Sequence, residues 1–171
     1  DESLVRLALD ILEQLHWPGI TPAAWARLLD SRHAPVRAAA AKNLARVDTM
    51  TANRELLRLL SHEDTEMREI AAAALSAHAS ATRLLLDAMK RETETDAAWR
   101  LAKILKPHSA AVDAKTRKQF AALAAAELQK GSTRQEALLF LLGNLDAKAA
   151  NSVVLAHGLT LRRAHRWTDA V

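Results

Sequence analysis

Cysteine and tyrosine are absent from this chain, glycine and proline occur four times each, and only 4% of the residues are aromatic. Without cysteine there is no disulfide framework, no thiolate nucleophile and no metal site built from thiolates. Four glycines cannot supply a phosphate-cradling loop, and no P-loop, dinucleotide-binding glycine pattern or GxSxG elbow is present. No apolar run approaches the roughly 20 residues of a membrane span, and no signal peptide is visible.

These absences predict a protein that is not an enzyme and that has no cofactor and no metal site. Seven histidines are scattered without an HExxH pair, and the contiguous His62, Glu63 and Asp64 are typical of an exposed polar turn. A cysteine-free chain fits the cytoplasm, where we expect it, and fits a periplasm as well. The first residue is not Met, so we expect part of a larger protein or complex.

The residues that are abundant favour helices. Half of the 171 residues are hydrophobic, mostly Ala and Leu, which have the highest helix propensities. Starts are indicated by Thr21 with Pro22, by Asp64 or Thr65, by Asp146 and by a Thr133–Glu136 capping box. Other predicted features are helices over residues 3–16, 109–130 and 146–158, a C-terminal cap at Gly131, and Trp17 packed on the first helix. No segment alternates with period two, so the predicted fold class is all-α.

A repeat follows from aligning "WARLLDSRHAPVRAAAAKNL" with "LLRLLSHEDTEMREIAAAAL" without a gap, which pairs Arg37 with Arg68. Each copy is a helix ending in Leu-Leu, a turn, and a second helix reading apolar-Arg-x-x-Ala-x-x-x-Leu. Arg134 occupies the Arg position of a weaker copy, and Arg100 can occupy it in another. Alanines such as Ala40 let stacked helix pairs approach closely, which explains the runs of four alanines.

The repeat predicts one domain over residues 1–171 built from stacked helix pairs. The clearest repeats are 22–47 and 53–79, with weaker ones at 80–106 and 109–145 and a basic C-terminal helix at 159–171. Trp25 aligns with Leu56 in a core position of the repeat.

The stretches "LLDSRHAPVRAAAAKNL" and "LLSHEDTEMREIAAAAL" resemble HEAT repeats, especially the short bacterial kind found in phycobilisome-lyase-like proteins. The resemblance covers about residues 23–79 well and continues more weakly to 145. It implies a right-handed α-solenoid of stacked antiparallel helix pairs that acts as a binding scaffold. Family members usually carry Asp six residues before the Arg, but Ser31 and His62 stand there in this chain. Asp64 is expected to pair with Arg68 instead, and His62 to act as a hydrogen-bonding spacer.

The leading hypothesis for function is a protein–protein interaction scaffold that binds an acidic protein partner through its second helices. The candidate partner-binding residues are Arg37, Lys42, Arg68, Trp99, Arg100 and Arg134. The recurring arginines have a second interpretation, in which they hydrogen-bond turn carbonyls and brace the repeats.

Nucleic-acid binding is the alternative function. Trp167 follows Arg162, Arg163, His165 and Arg166, and a basic cluster beside an aromatic ring can hold a phosphate and stack on a base. The same stretch fits a solvated C-terminal helix. Alkylpurine DNA glycosylases also use HEAT-like repeats, with Trp and Asp near a basic groove. Candidate pairs here are Trp99 with Asp96 and Trp167 with Asp169.

Overall fold

The computed structural model describes Ser3, Leu4, Leu7 and residues 20–168, the stretch 161–168 by its backbone alone. Most of the predicted first helix, with Trp17, lies outside the described residues. Between residues 20 and 168 there are α-helices and two 3-10 helices (Ala79–Ala81 and Lys106–Ala111), and no strand, which confirms the all-α prediction. The α-helices are α1 (Pro22–Leu28), α2 (Ala34–Leu44), α3 (Met50–Leu59), α4 (Thr65–Ala77), α5 (Thr82–Arg91), α6 (Thr95–Leu105), α7 (Ala114–Lys130), α8 (Gln135–Leu145) and α9 (Ala147–Thr168).

Several helix ends are where the sequence places them. Asp64 Oδ1 accepts a hydrogen bond from Glu66 N at 2.9 Å, and Thr21 and Asp146 cap α1 and α9 with their own side-chain oxygens. Gly131 ends α7 with φ 65°, a left-handed conformation in which a side chain is disfavoured. The structure confirms these predictions. Each of these helix ends depends on a contact within a few residues, which is why the sequence predicts it.

The long helix predicted from Ser109 begins later, at Ala114. Residues 106–111 form a 3-10 helix instead, and Asp113 caps α7 by accepting from Thr116 N at 2.9 Å. The N-cap at Asp113 therefore sets the start of α7, and the prediction of Ser109 is wrong.

The predicted helix end near Gly158 is also wrong, because α9 runs without a break from Ala147 to Thr168. A glycine inside a helix costs about 1 kcal/mol relative to alanine and does not by itself end the helix. The predicted basic C-terminal helix is thus the second half of α9, as far as the structure describes it.

The chain folds into two compact units, residues 1–85 (unit 1) and 86–171 (unit 2), with the boundary inside α5. In unit 1, α1 pairs with α2 and α3 pairs with α4. The two pairs stack in register, because α1 packs on α3 and α2 packs on α4. This is the stacked helix-pair arrangement that the repeat predicts.

In unit 2, α8 packs against α6, α7 and α9, and α9 also packs on α7. Buried aliphatic side chains fill this core, and the apolar stretch "ALLFLL" of α8 supplies several of them, namely Ala137, Leu138, Leu141 and Leu142. The central helix of this unit is therefore α8.

The alanine runs lie in helix–helix contacts, as predicted. Ala40, Ala41 and Ala71 are fully buried on α2 and α4, the two second helices that pack together. Trp25 is buried on α1, and the aligned Leu56 is buried on α3. A methyl side chain at these positions fills the contact without separating the backbones.

A polar network joins the end of α4 to the start of α3. Buried Asn53 donates from its amide nitrogen to Asp48 Oδ1 at 3.0 Å and to Ser80 Oγ at 2.8 Å. His78 Nδ1 lies 2.6 Å from Asn53 Oδ1, and its Nε2 lies 2.9 Å from the Ala45 carbonyl oxygen. The hydrogen bond from the Ser80 hydroxyl, together with that from Asn53, lowers the pKa of Asp48 below its ordinary value. The network satisfies the polar groups of the turn that enters α3.

Candidate partner-binding face

Arg37 and Arg68 hold the turns that precede their own helices. Arg37 donates from Nη1 to the Ser31 carbonyl at 2.8 Å, and Arg68 donates from Nη1 to the His62 carbonyl at 2.7 Å. Both acceptors lie six residues before the arginine. Arg68 also donates to the Glu63 carbonyl at 2.7 Å. We call this contact the turn clasp, and it is the bracing role that the sequence left open beside partner binding.

The local pairing of Asp64 with Arg68 is absent. Asp64 caps α4 through Glu66 N, and no ion pair joins it to Arg68, whose Nη2 donates instead to Thr65 Oγ1 at 2.7 Å. His62 Nδ1 accepts a hydrogen bond from Asp64 N at 3.0 Å within the same turn, and the predicted role of His62 as a spacer stays a prediction. The prediction of an ion pair is wrong because the Arg68 guanidinium donates its hydrogen bonds to the turn carbonyls instead.

Arg117 makes a turn clasp of the same kind, with carbonyls that precede its own helix, and the sequence did not predict it. Its Nε donates to the Val112 carbonyl at 2.9 Å and its Nη2 to the Ser109 carbonyl at 3.3 Å. Arg37, Arg68 and Arg117 are each the fourth residue of their helix, four residues after its N-cap. That spacing is the signal that could have identified Arg117.

Lys42 pairs with Glu66 on the neighbouring second helix, with Nζ and Oε1 3.3 Å apart. Both side chains are at least half exposed, so the pair is screened by water and contributes little to stability. Lys42 therefore lies on the second-helix surface with a carboxylate partner already beside it.

Arg134 is buried and occupies the N-cap position of α8, so the Thr133–Glu136 capping box does not form. Its guanidinium donates from Nε to Glu127 Oε2 at 3.3 Å and from Nη1 to the carbonyl of Glu92. Hydrogen bonds from Arg134, and then from Ser132 and Lys130, lower the pKa of Glu127 from 4.5 to about 2. This buried pair ties α7 and α8 to the turn between α5 and α6.

Trp99 on α6 lies against Phe140 on α8, with ring centroids 5.4 Å apart and an interplanar angle of 50°. Both rings are half-buried. Tilted aromatic pairs contribute about 0.5–1.5 kcal/mol beyond the burial of their area. The rings therefore form a fixed apolar patch where two adjacent helices meet.

Arg100 is the predicted arginine without an acceptor. It is half-buried, and its Nε is buried with no hydrogen-bond partner among the described residues, where it has no ion pair either. Lys103 is exposed one turn further along α6. Arg100, Lys103, Trp99 and Phe140 together are called the α6–α8 face.

The other groups that could bind a ligand or a metal give weaker candidates for a site. Within the described residues no three His, Asp or Glu side chains converge as metal ligands would. A shallow open depression on α7, lined by Ala114, Lys115, Lys118, Gln119 and Ala122, does not enclose a ligand. Asp96 is exposed on the same helix as Trp99, whereas Trp167 and its basic neighbours are described by backbone alone and Asp169 lies outside the description.

Comparison with protein families shows that a model of HEAT repeats matches residues 21–106, half of the chain. The match confirms the resemblance seen in α1–α4, while the narrower likeness to phycobilisome-lyase-like proteins stays a prediction. Neither the curated proteins nor the solved structures gave a match. None of the helices in the part that the structure describes has the length and apolar character of a membrane span.

Proposed function

The chain belongs to the HEAT-repeat family, and from that premise we propose that it is a non-catalytic protein-interaction module that binds a carboxylate-bearing segment of a partner protein. In general, HEAT repeats suggest a module that serves as a scaffold for protein interactions. The proposal adds a site, the α6–α8 face, and a chemistry for the partner.

The observation that carries the proposal is the Arg100 Nε, which is buried without a hydrogen-bond partner among the described residues and belongs to the residue that follows Trp99. A half-buried arginine without an acceptor loses part of its hydration and gains no internal hydrogen bond in return. A carboxylate from a partner would supply that acceptor through charge-assisted hydrogen bonds. Trp99 and Phe140 would pack on the apolar part of the same segment, since Trp and Arg are enriched among the residues that dominate interface energetics.

The other candidates take supporting roles in this proposal. Arg37 and Arg68 brace turns through the clasp, and Arg134 braces unit 2 through Glu127. Lys42 would contribute to a partner contact only by exchanging Glu66 for a partner carboxylate. Lys103 adds an exposed positive charge near Arg100 and favours an acidic partner.

The test is capture of proteins by the immobilised full chain, followed by titration of the captured protein against variants. Arg100→Gln should weaken binding by about tenfold or more, because a hydrogen bond to a charged group contributes roughly 1.5–3 kcal/mol. The matched control is Arg91→Gln, since Arg91 is exposed on α5 and donates to its own helix at the Asp87 carbonyl. Equal affinities for wild type and Arg100→Gln, or equal losses in both variants, would contradict the proposed site.

Nucleic-acid binding remains the second candidate, and one observation favours it. Residues 86–171 contain 14 Lys and Arg against nine Asp and Glu, whereas residues 1–85 contain ten against eleven. Titration with duplex DNA over a range of salt separates the two functions, because phosphate contacts make the affinity fall steeply with salt. Tight, strongly salt-dependent duplex binding would favour the alternative over a protein partner.

A further inference from the structure

The outer side of α9 has a surface that the proposed function does not use. Leu155, Leu159 and Val154 are 68%, 55% and 50% exposed, although the helix packs its inner side on α7 and α8. Leu155 and Leu159 are four residues apart and therefore lie on one helical face. We call these three residues the α9 apolar stripe.

The charge of α9 is of one sign. From Ala147 to Thr168 the helix contains no Asp or Glu, and its basic residues are Lys148, Arg162, Arg163 and Arg166. Lys148 precedes the apolar stripe in the sequence and the arginines follow it, so the charged residues on both sides of the stripe along the chain are positive. A binding partner that complements this helix combines apolar side chains with carboxylates.

Unit 1 shows what kind of element fits such a surface. There α3 packs on three helices, α1, α2 and α4. In unit 2, α9 packs on α8 and α7, and among the described residues of that unit no further helix covers its outer side. The arrangement within unit 1 therefore indicates a helix as the element that packs on the α9 apolar stripe.

We propose that the α9 apolar stripe is a docking surface for an amphipathic helix of a partner protein, with leucine-sized residues on one face and carboxylates on its flanks. Helix binding is favoured over membrane binding because the exposed surface also carries Asn151, Ser152 and Ala156. Small and polar residues let a helix approach closely but offer a membrane little apolar area.

The test uses a synthetic amphipathic helical peptide with leucines on one face and glutamates on both flanks, titrated against the full chain. The double variant Leu155→Glu/Leu159→Glu should bind it at least about tenfold more weakly, because burial of two leucines and charge complementarity are lost together. The control is Met50→Glu, since Met50 is an apolar side chain that is 44% exposed on α3 of unit 1. Circular dichroism of each variant checks that the fold is intact.

Further outcomes distinguish the possible occupants of the stripe. A peptide with the same leucines and lysine flanks should bind at least about tenfold more weakly than the glutamate version. The proposal is overturned by failure of the glutamate peptide to bind or by an equal loss in Met50→Glu. It is also overturned by a concentration-dependent dimer, or by binding to anionic vesicles, that the double variant abolishes. None of these measurements involves Arg100, so failure here leaves the α6–α8 face as proposed.

Discussion

At the scale of single residues, two arginines that one sequence pattern treats as equivalent have different surroundings. Arg68 donates to two backbone carbonyls and to the Thr65 hydroxyl, whereas Arg100 has no acceptor among the described residues. Because a hydrogen bond stabilises only when it is made, we expect Arg68 to stabilise the turn before α4, and we propose Arg100 as the binding residue.

This difference predicts opposite results for the same substitution. Arg68→Gln should lower the free energy of unfolding by about 1–3 kcal/mol, because the turn before α4 loses its charged donor. Arg100→Gln should change it by less than about 0.5 kcal/mol, since no hydrogen bond or ion pair among the described residues is removed. Urea unfolding of both variants measures the two values. A loss for Arg100→Gln as large as that for Arg68→Gln would mean that Arg100 is a brace.

The buried alanines give a second prediction at this scale. Ala40→Leu and Ala71→Leu should each destabilise by about 1–3 kcal/mol, because both positions are fully buried where α2 packs on α4. Ala114→Leu is the control, since Ala114 is exposed at the start of α7. Melting temperatures of the two buried variants that equal that of the control would contradict the stacking of the second helices.

At the scale of helices and turns, the α7–α8 connection combines a glycine cap with a buried ion pair. Gly131 adopts φ 65° and no atom lies within 4 Å of the position a Cβ would take, so only the backbone conformation opposes a side chain. Gly131→Ala should cost about 1–2 kcal/mol. Gly143, inside α8, is equally free of neighbours, and Gly143→Ala should stabilise by up to about 1 kcal/mol. Chemical unfolding that shows the same sign for both variants would contradict this account.

The ion pair of the same connection predicts a pH dependence. The pKa of Glu127 falls from 4.5 to about 2 on folding, mainly through Arg134, so its contribution is full above 4.5 and is lost as the pH falls toward 2. Glu127→Gln should destabilise by about 3 kcal/mol at pH 7, because Arg134 stays buried without its charge partner.

As the pH falls through 2 the stabilities of wild type and Glu127→Gln should converge, since the Glu127 carboxyl becomes protonated and is then uncharged like the Gln amide. Urea midpoints over that range, with Glu136→Gln as the exposed control, give the comparison. If the difference in urea midpoint between wild type and Glu127→Gln stays constant with pH, the ion pair is not the source of the lost stability.

These elements also show what a sequence can predict. Caps at Thr21, Asp64, Asp146 and Gly131 were predictable because each depends on neighbours within a turn or two. The absence of the predicted capping box at Thr133 could not be predicted, because Arg134 donates to carbonyls more than 40 residues away in the chain. Such distant contacts have no local signature.

The candidate site divides in the same way. The turn clasp of Arg37 and Arg68 followed from a repeated position, and Arg117 could have been found by its distance from Asp113. Trp99 and Phe140 are 41 positions apart in the sequence, and their aromatic contact joins two helices. No periodicity pairs those residues, so the α6–α8 face required the structure.

At the scale of the whole molecule, the arginines that brace turns differ from the arginine that we propose as a binding residue. The arginines in the turn clasp and in the ion pair with Glu127 hold turns, whereas Arg100 has no hydrogen-bond partner among the described residues and is the arginine proposed to contact a partner. The excess of basic residues in 86–171 favours an acidic partner for this part of the chain. The central claim is therefore that binding occurs at the α6–α8 face.

Hydrogen–deuterium exchange of the full chain, with and without its captured protein partner, tests that claim most directly. Binding at the α6–α8 face predicts slower exchange in peptides covering residues 95–105 and 135–145, and no change over 22–44, because bound helices open less often. Slower exchange confined to other helices, with residues 95–105 and 135–145 unchanged, would contradict the account.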